Sequence, residues 1–178
     1  MRLSASVASV VVVPAAPLLL PEHAGRADVV PGLRAAVRRA LEGLHDVAVL
    51  AEPAWGEPVA AHLLRDIGLL EAPLGEAGAL LVAGDGSARR GEKAPGHLDE
   101  RAAPYDAVVE EALREGDAVT LASLDLDLGA ELLAAGAPVL RALGDAVLAS
   151  GRAVQTADLA YADDPFGVRY WVARWDLA

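Results

Sequence analysis

Ala79-Leu80-Leu81-Val82-Ala83-Gly84-Asp85-Gly86-Ser87 takes the chain from an apolar run straight into glycine and polar residues. Five consecutive apolar residues without alternation predict a strand buried on both faces, the kind used in parallel sheets. Its carboxyl end opens a polar connection, Ala88-Arg89-Arg90-Gly91-Glu92-Lys93-Ala94-Pro95-Gly96-His97-Leu98-Asp99-Glu100-Arg101. Open α/β sheets place their ligand sites at that end of their strands. The stretch therefore predicts an α/β fold with its chemistry in the segment from Gly84 to Arg101.

Upstream, Ser6 to Val13 contains four consecutive valines and predicts a second doubly buried strand. Pro14-Ala15-Ala16-Pro17 reads as an extended exit, and Leu18-Leu19-Leu20 as an apolar loop lying against the core. Pro31 suits a first helical turn. Val30, Leu33, Val37, Leu41 and Leu44 then recur at helical spacing. Asp46 to Ala51 is the next strand, and Pro58 opens a helix with a stripe of Val59, Leu63, Ile67 and Leu70. Right-handed connections would make this early sheet parallel.

Downstream, Pro104 starts a helix ending near Gly116, and Asp117 caps a short turn through Leu124. Leu126 to Ala135 and Pro138 to Ser150 read as two further helices. Ala153 to Tyr161 and Val168 to Trp175 are strands around the turn Asp163-Asp164-Pro165-Phe166-Gly167, which makes a C-terminal β-hairpin. The expected architecture is a central, mostly parallel or mixed sheet flanked by helices, in a single domain over residues 1–178.

Fifteen Lys and Arg against 26 Asp and Glu give a net charge of −11, which argues against nucleic acid and anionic lipid as partners. The absence of cysteine removes disulfides, thiolate metal sites and thiol nucleophiles, and agrees with a cytoplasmic location. The start, Met1-Arg2-Leu3-Ser4 before an apolar stretch, has the outline of a signal peptide. Pro14, Pro17 and Pro21 interrupt that stretch, so a core strand is the better reading, and no later run spans a bilayer. An apolar share of 54% with only 4% aromatics implies a core of Ala, Val and Leu, close-packed helices and an Ala-rich face available for a homo-oligomer.

Within the loop, Gly84, Asp85, Gly86, Ser87, Arg89, Arg90 and Lys93 form the candidate ligand-binding set. Backbone N–H groups and guanidinium groups there would suit a small polar or anionic ligand. An ordered loop laced with ion pairs is the competing reading. His97 and Asp85 are the candidate catalytic pair, because a histidine among acids and bases has a tunable pKa. His45 at a helix end, His23 on a loop and the His62/Asp66 pair at i, i+4 have weaker claims. No metal-ligand spacing such as H-x-H or H-E-x-x-H occurs, so the residues themselves predict neither metal nor cofactor.

Three segments together carry a family resemblance. They are Pro14-Ala-Ala-Pro-Leu-Leu-Leu-Pro-Glu22, Gly84 to Arg101, and Tyr161-Ala-Asp-Asp-Pro-Phe-Gly-Val-Arg-Tyr170. The chain resembles the class III extradiol dioxygenase superfamily, in particular actinobacterial members like the catalytic component of aromatic ring-opening dioxygenases. That resemblance implies the α/β fold of that catalytic component, whose active members hold Fe(II) with two histidines and a glutamate and use another histidine as acid-base. Ala15 stands where the first metal histidine belongs, the second falls in a region that looks shortened between Leu50 and Gly78, and Ala88 stands where the catalytic histidine follows the Gly-Asp-x-Ser-type motif. Alanine neither binds iron nor carries a proton.

The leading expectation is thus a domain of this type without ring cleavage that binds a small ligand or a protein partner through the loop. One alternative is an active enzyme, either recruiting Fe(II) through His23, His62 or His97 with an acid, or working without metal through His97 and Asp85. A structural component of an oligomer is the other.

Overall fold

The computed structural model describes residues 3–4, 6–23 and 28–178; Met1 and Arg2 of the signal-like start lie outside them. Five strands, β1 (Ser9–Val13), β2 (Val47–Ala51), β3 (Ala79–Ala83), β4 (Val154–Asp163) and β5 (Tyr170–Leu177), form one mixed sheet in the order β2-β3-β1-β5-β4. β3 pairs in parallel with β1 and β2, while β5 runs antiparallel to β1 and to β4. The α/β class and the C-terminal hairpin are as the sequence predicts. β4, the outer strand beside β5, carries two register shifts.

Helices cover both faces. α1 (Pro31–Leu41) and α2 (Gly56–Asp66) lie on one, packing with Val11, Val13, Leu81 and Val172. On the other are α3 (Ala102–Glu115), α4 (Ala118–Ala122), α5 (Leu126–Glu131) and α6 (Ala137–Ser150), packed with Val10, Val12, Leu80, Val82, Trp171 and Trp175. Successive residues of β1 and β3 thus enter opposite cores, and a two-sided demand for apolar side chains explains unbroken runs of Val and Leu. Trp175 is fully buried, and its indole N–H donates to the Leu113 carbonyl at 2.8 Å.

Some sequence expectations need correction. The chain steps outward from β1 to β2 and back from β2 to β3, yet α1 and α2 occupy the same face, so the two connections cannot both be right-handed. α1 packs on β5, β4 and β1, displaced from β2, the strand it leads into. The α2 stripe stops at Leu63 and Leu64, because the helix ends at Asp66; Leu70 is 82% exposed. α5 is shorter than predicted, since Leu133 takes a left-handed conformation (φ 55°) that breaks the helix.

Small residues allow close approach of the helices. A Cβ on Gly144 of α6 would lie 2.4 Å from the backbone nitrogen of Ala122 in α4, so α6 packs directly on α4 main chain. Asp117 caps α4 as the sequence predicts, accepting from the N–H groups of Val119 and Thr120 at 3.0 Å each. No helix among the described residues is long and apolar enough to cross a membrane.

Candidate functional site

β1 ends at Val13, and the chain that follows β3 crosses over its end. The Gly84 N–H donates to the Val13 carbonyl at 3.0 Å. Two residues on, the Gly86 N–H donates to the Arg169 carbonyl at 2.8 Å, and the Arg169 N–H donates back to Ser87 at 2.9 Å. The crossing leaves Asp85 above the end of β1, at the carboxyl edge of the parallel strands.

Asp85 is held from two sides. Its backbone carbonyl accepts from the Gly136 N–H at 2.8 Å, and its carboxylate Oδ1 accepts from the Ala15 N–H at 2.9 Å. Glycine is required at the first contact, because a Cβ on Gly136 would sit 2.5 Å from the Asp85 nitrogen. The other oxygen, Oδ2, has no hydrogen-bond partner among the described residues. Asp85 is 7% exposed, and burial pushes its pKa up to about 7 against the pull of the Ala15 N–H.

Asp85 forms part of the wall of a cleft of about 620 Å³, a size usual for small-molecule sites. The walls are otherwise apolar: Pro17, Trp55, Ala88, Leu133, Pro138 and Val168 line it, with Tyr170 at the start of β5. Burial raises the Tyr170 phenol, and the Asp85 charge raises it further, so the hydroxyl stays protonated and available as a donor. Trp55 is half exposed, and its indole lies at the rim. Among the described residues, no Lys, Arg or His lines this cleft.

The rest of the loop has a different environment. Arg90 donates from Nε to Asp164 Oδ2 at 2.7 Å and lies 3.7 Å from Asp106 Oδ2. Asp106, 1% exposed, accepts from the Ser87 N–H at 3.0 Å. Burial pushes Asp106 up to about 6, while the Ser87 N–H and the charges of Arg90 and Arg169 pull it down. Arg169 pairs with Glu110, and Arg101 pairs with Asp99 and Glu131. These contacts bind the loop to α3 and to the β4–β5 turn.

The predicted ligand set is therefore divided. Asp85 and Gly86 line the cleft. Gly84 is engaged with β1, and Ser87 is fully buried with its hydroxyl donated to the Leu132 carbonyl at 2.6 Å. Arg90 is committed to two aspartates, and Lys93 is exposed beside the hairpin turn. The Arg89 Nε is buried without a partner among the described residues. His97 is exposed, in a left-handed conformation (φ 56°), and is not part of the cleft wall, so it is not assembled with Asp85.

The other histidines are dispersed. His23 is exposed, His45 pairs with exposed Asp46 at 3.3 Å, and His62 and Asp66 share a small hollow on the α1–α2 face. No group of three or more metal-ligating side chains occurs among the described residues. Ala15 is fully buried behind Asp85, whereas Ala88 lines the cleft.

Tyr170 and Trp55 are absent from the set that the sequence suggests. Tyr170 has a signal, being the last residue of the third resemblance segment. Its meeting with Asp85 depends on β5 inserting beside β1, which no local pattern encodes. Asp106 has one too, as an acid within the inward face made by Ala102, Tyr105, Val109 and Ala112. No family model matches this chain, and no curated protein shows significant similarity to it.

Proposed function

We propose that the chain binds a small, largely apolar molecule in the Asp85 cleft, on a scaffold like that of the class III extradiol dioxygenases but without ring cleavage. The observation that carries this reading is the buried Asp85 carboxylate, which keeps one oxygen free of protein partners among the described residues in an apolar cleft at the carboxyl edge of β1 and β3. A carboxylate oxygen in a cleft wall can accept a hydrogen bond from a bound molecule.

Fe(II) does not fit this cleft. A facial triad needs two imidazoles and a carboxylate on one centre, whereas the described wall offers one carboxylate and one phenol as ligating groups. Ala88 presents a methyl group where the resemblance would put the acid-base histidine. The expected outcome of loading the protein with Fe(II) anaerobically and dialysing it is no stoichiometric iron and no catechol cleavage; retention with cleavage would favour the dioxygenase.

Binding is tested with the uncharged fluorophore N-phenyl-1-naphthylamine. Ala88→Phe places a ring in the cleft from a half-buried wall position and should weaken dye binding by about tenfold or more, with the far-UV circular dichroism unchanged. Unaltered affinity would move the site elsewhere.

A second reading, acid-base catalysis, draws on the same group. A carboxyl near neutrality can take a proton from a bound molecule at Oδ2, while the protonated Tyr170 phenol donates a hydrogen bond to a neighbouring atom of that molecule. A bound molecule recovered chemically altered, with conversion lost in Asp85→Asn, would establish it.

A further inference from the structure

The charge arrangement around the cleft narrows the ligand class. Asp85 is the one ionisable carboxyl among the described residues of the wall, and no cationic side chain accompanies it there. The nearby loop arginine Arg90 is turned to Asp164 and Asp106, and Arg169 to Glu110. An anionic ligand would meet Asp85 with no compensating charge. A neutral apolar ligand would leave Oδ2 bare. A ligand carrying its own positive charge supplies both the missing counter-ion and the missing donor.

We propose, building on the binding function above, that the cleft recognises an organic cation: an apolar, preferably aromatic body bearing one ammonium group. The ammonium donates to Asp85 Oδ2, and the body lies along Pro17, Leu133 and Pro138. The faces of Trp55 and Tyr170 supply cation–π and stacking contacts, which favour aryl-alkyl amines over aliphatic ones. This reverses the ligand charge expected from Arg89 and Arg90. The chain's net charge of −11 adds long-range attraction for a cation.

Around Asp85 there is little else to titrate. β5 presents Tyr170, the exit from β1 presents only the Ala15 N–H, the turn before α2 presents Trp55, and α5 and α6 present apolar residues and glycine. The raised Asp85 pKa then sets the pH response: the carboxylate that attracts a cation forms as pH rises through about 7.

The test compares phenethylamine with phenethyl alcohol on the intact chain by calorimetry or ligand-observed NMR. At pH 8 the amine should bind about tenfold tighter than the alcohol, the difference between a charge-assisted and a neutral hydrogen bond. Moving to pH 5, where the amine keeps its proton, should weaken the amine by about tenfold or more and leave the alcohol nearly unchanged. Asp85→Asn, which retains an acceptor for the Ala15 N–H, should remove the preference and its pH dependence.

Equal binding of amine and alcohol at pH 8, both blocked by Ala88→Phe, would overturn the cation assignment while leaving the cleft as the binding site. A preference that survives Asp85→Asn would belong to the acidic surface and would also overturn it. Binding of neither probe would count against both proposals.

Discussion

Asp85 and Asp106 stand on either side of one loop, are almost equally buried at 7% and 1% exposure, and have pKa values raised in both cases by burial. Their surroundings differ in charge and in access to open space. Asp106 faces Arg90 and Arg169 and accepts from Ser87; Asp85 faces a cleft and meets one backbone N–H. The first arrangement sets a buried carboxylate among charges, its Oδ2 3.7 Å from Arg90 Nε and without a hydrogen bond among the described residues. The second leaves a carboxylate in need of a partner that the protein does not supply. Burial alone therefore does not mark a binding residue. Burial together with an unpartnered acceptor in a cleft wall is what distinguishes Asp85 and motivates the binding proposal.

The contrast is sharpest in stability. Arg90 keeps its pair with Asp164, but the buried Ser87 N–H loses its acceptor, so Asp106→Ala should destabilise the fold by about 1–3 kcal/mol in urea denaturation. Much of that loss should return in Asp106→Asn, which keeps an acceptor for Ser87. A loss below about 1 kcal/mol for Asp106→Ala would mean the two aspartates are not different in kind.

Asp85 makes no ion pair among the described residues, so its removal leaves no charge behind. Its folded-state pKa lies above the unfolded value, so its contribution to stability is fully present below about pH 4 and is lost as pH rises through about 7. Asp85→Asn should therefore stabilise the protein at pH 8, with an upper bound on the order of 4 kcal/mol from about 1.4 kcal/mol per pKa unit, and give no gain at pH 4. Denaturation midpoints at the two pH values check this. Destabilisation at pH 8 would place a counter-charge on Asp85.

A smaller effect separates cap from cleft. Asp117→Ala should cost about 1 kcal/mol by removing the acceptor at the start of α4, with no change in ligand binding. Trp55→Ala should do the reverse: stability within about 0.5 kcal/mol of the parent, because the ring is half exposed, and amine affinity lowered several-fold. Thermal melts and phenethylamine titrations read both. Any change in cleft affinity in Asp117→Ala would link the α4 end to the site.

Most strands and helices can be read from the sequence, because valine and leucine runs, prolines at first helical turns and glycines at C-caps are local signals. Gly116, left-handed at φ 72° after α3, is one such stop. The candidate site is legible only to the extent that Asp85 follows a buried strand. The cleft wall is assembled from separate segments of the chain, and Trp55, Leu133 and Tyr170 meet there through strand order and helix placement, which are properties of the whole chain. Arg90 shows what local sequence leaves out, whereas the Arg89 Nε stays without a partner among the described residues. The Arg90 charge pairs with Asp164, far away along the chain, and lies near Asp106 inside a helix, neither of which its own segment announces.

The outer strand β4 has a further consequence. It runs ten residues with a ladder on one side only, a geometry that invites a second chain to add on and template fibrillar growth. Its pairing slips at Val154/Thr156 and again at Leu159/Tyr161, and Asp158 and Asp163 project charge along its length. An acidic margin with two register shifts is a poor template for an incoming strand, which disfavours sheet extension along β4.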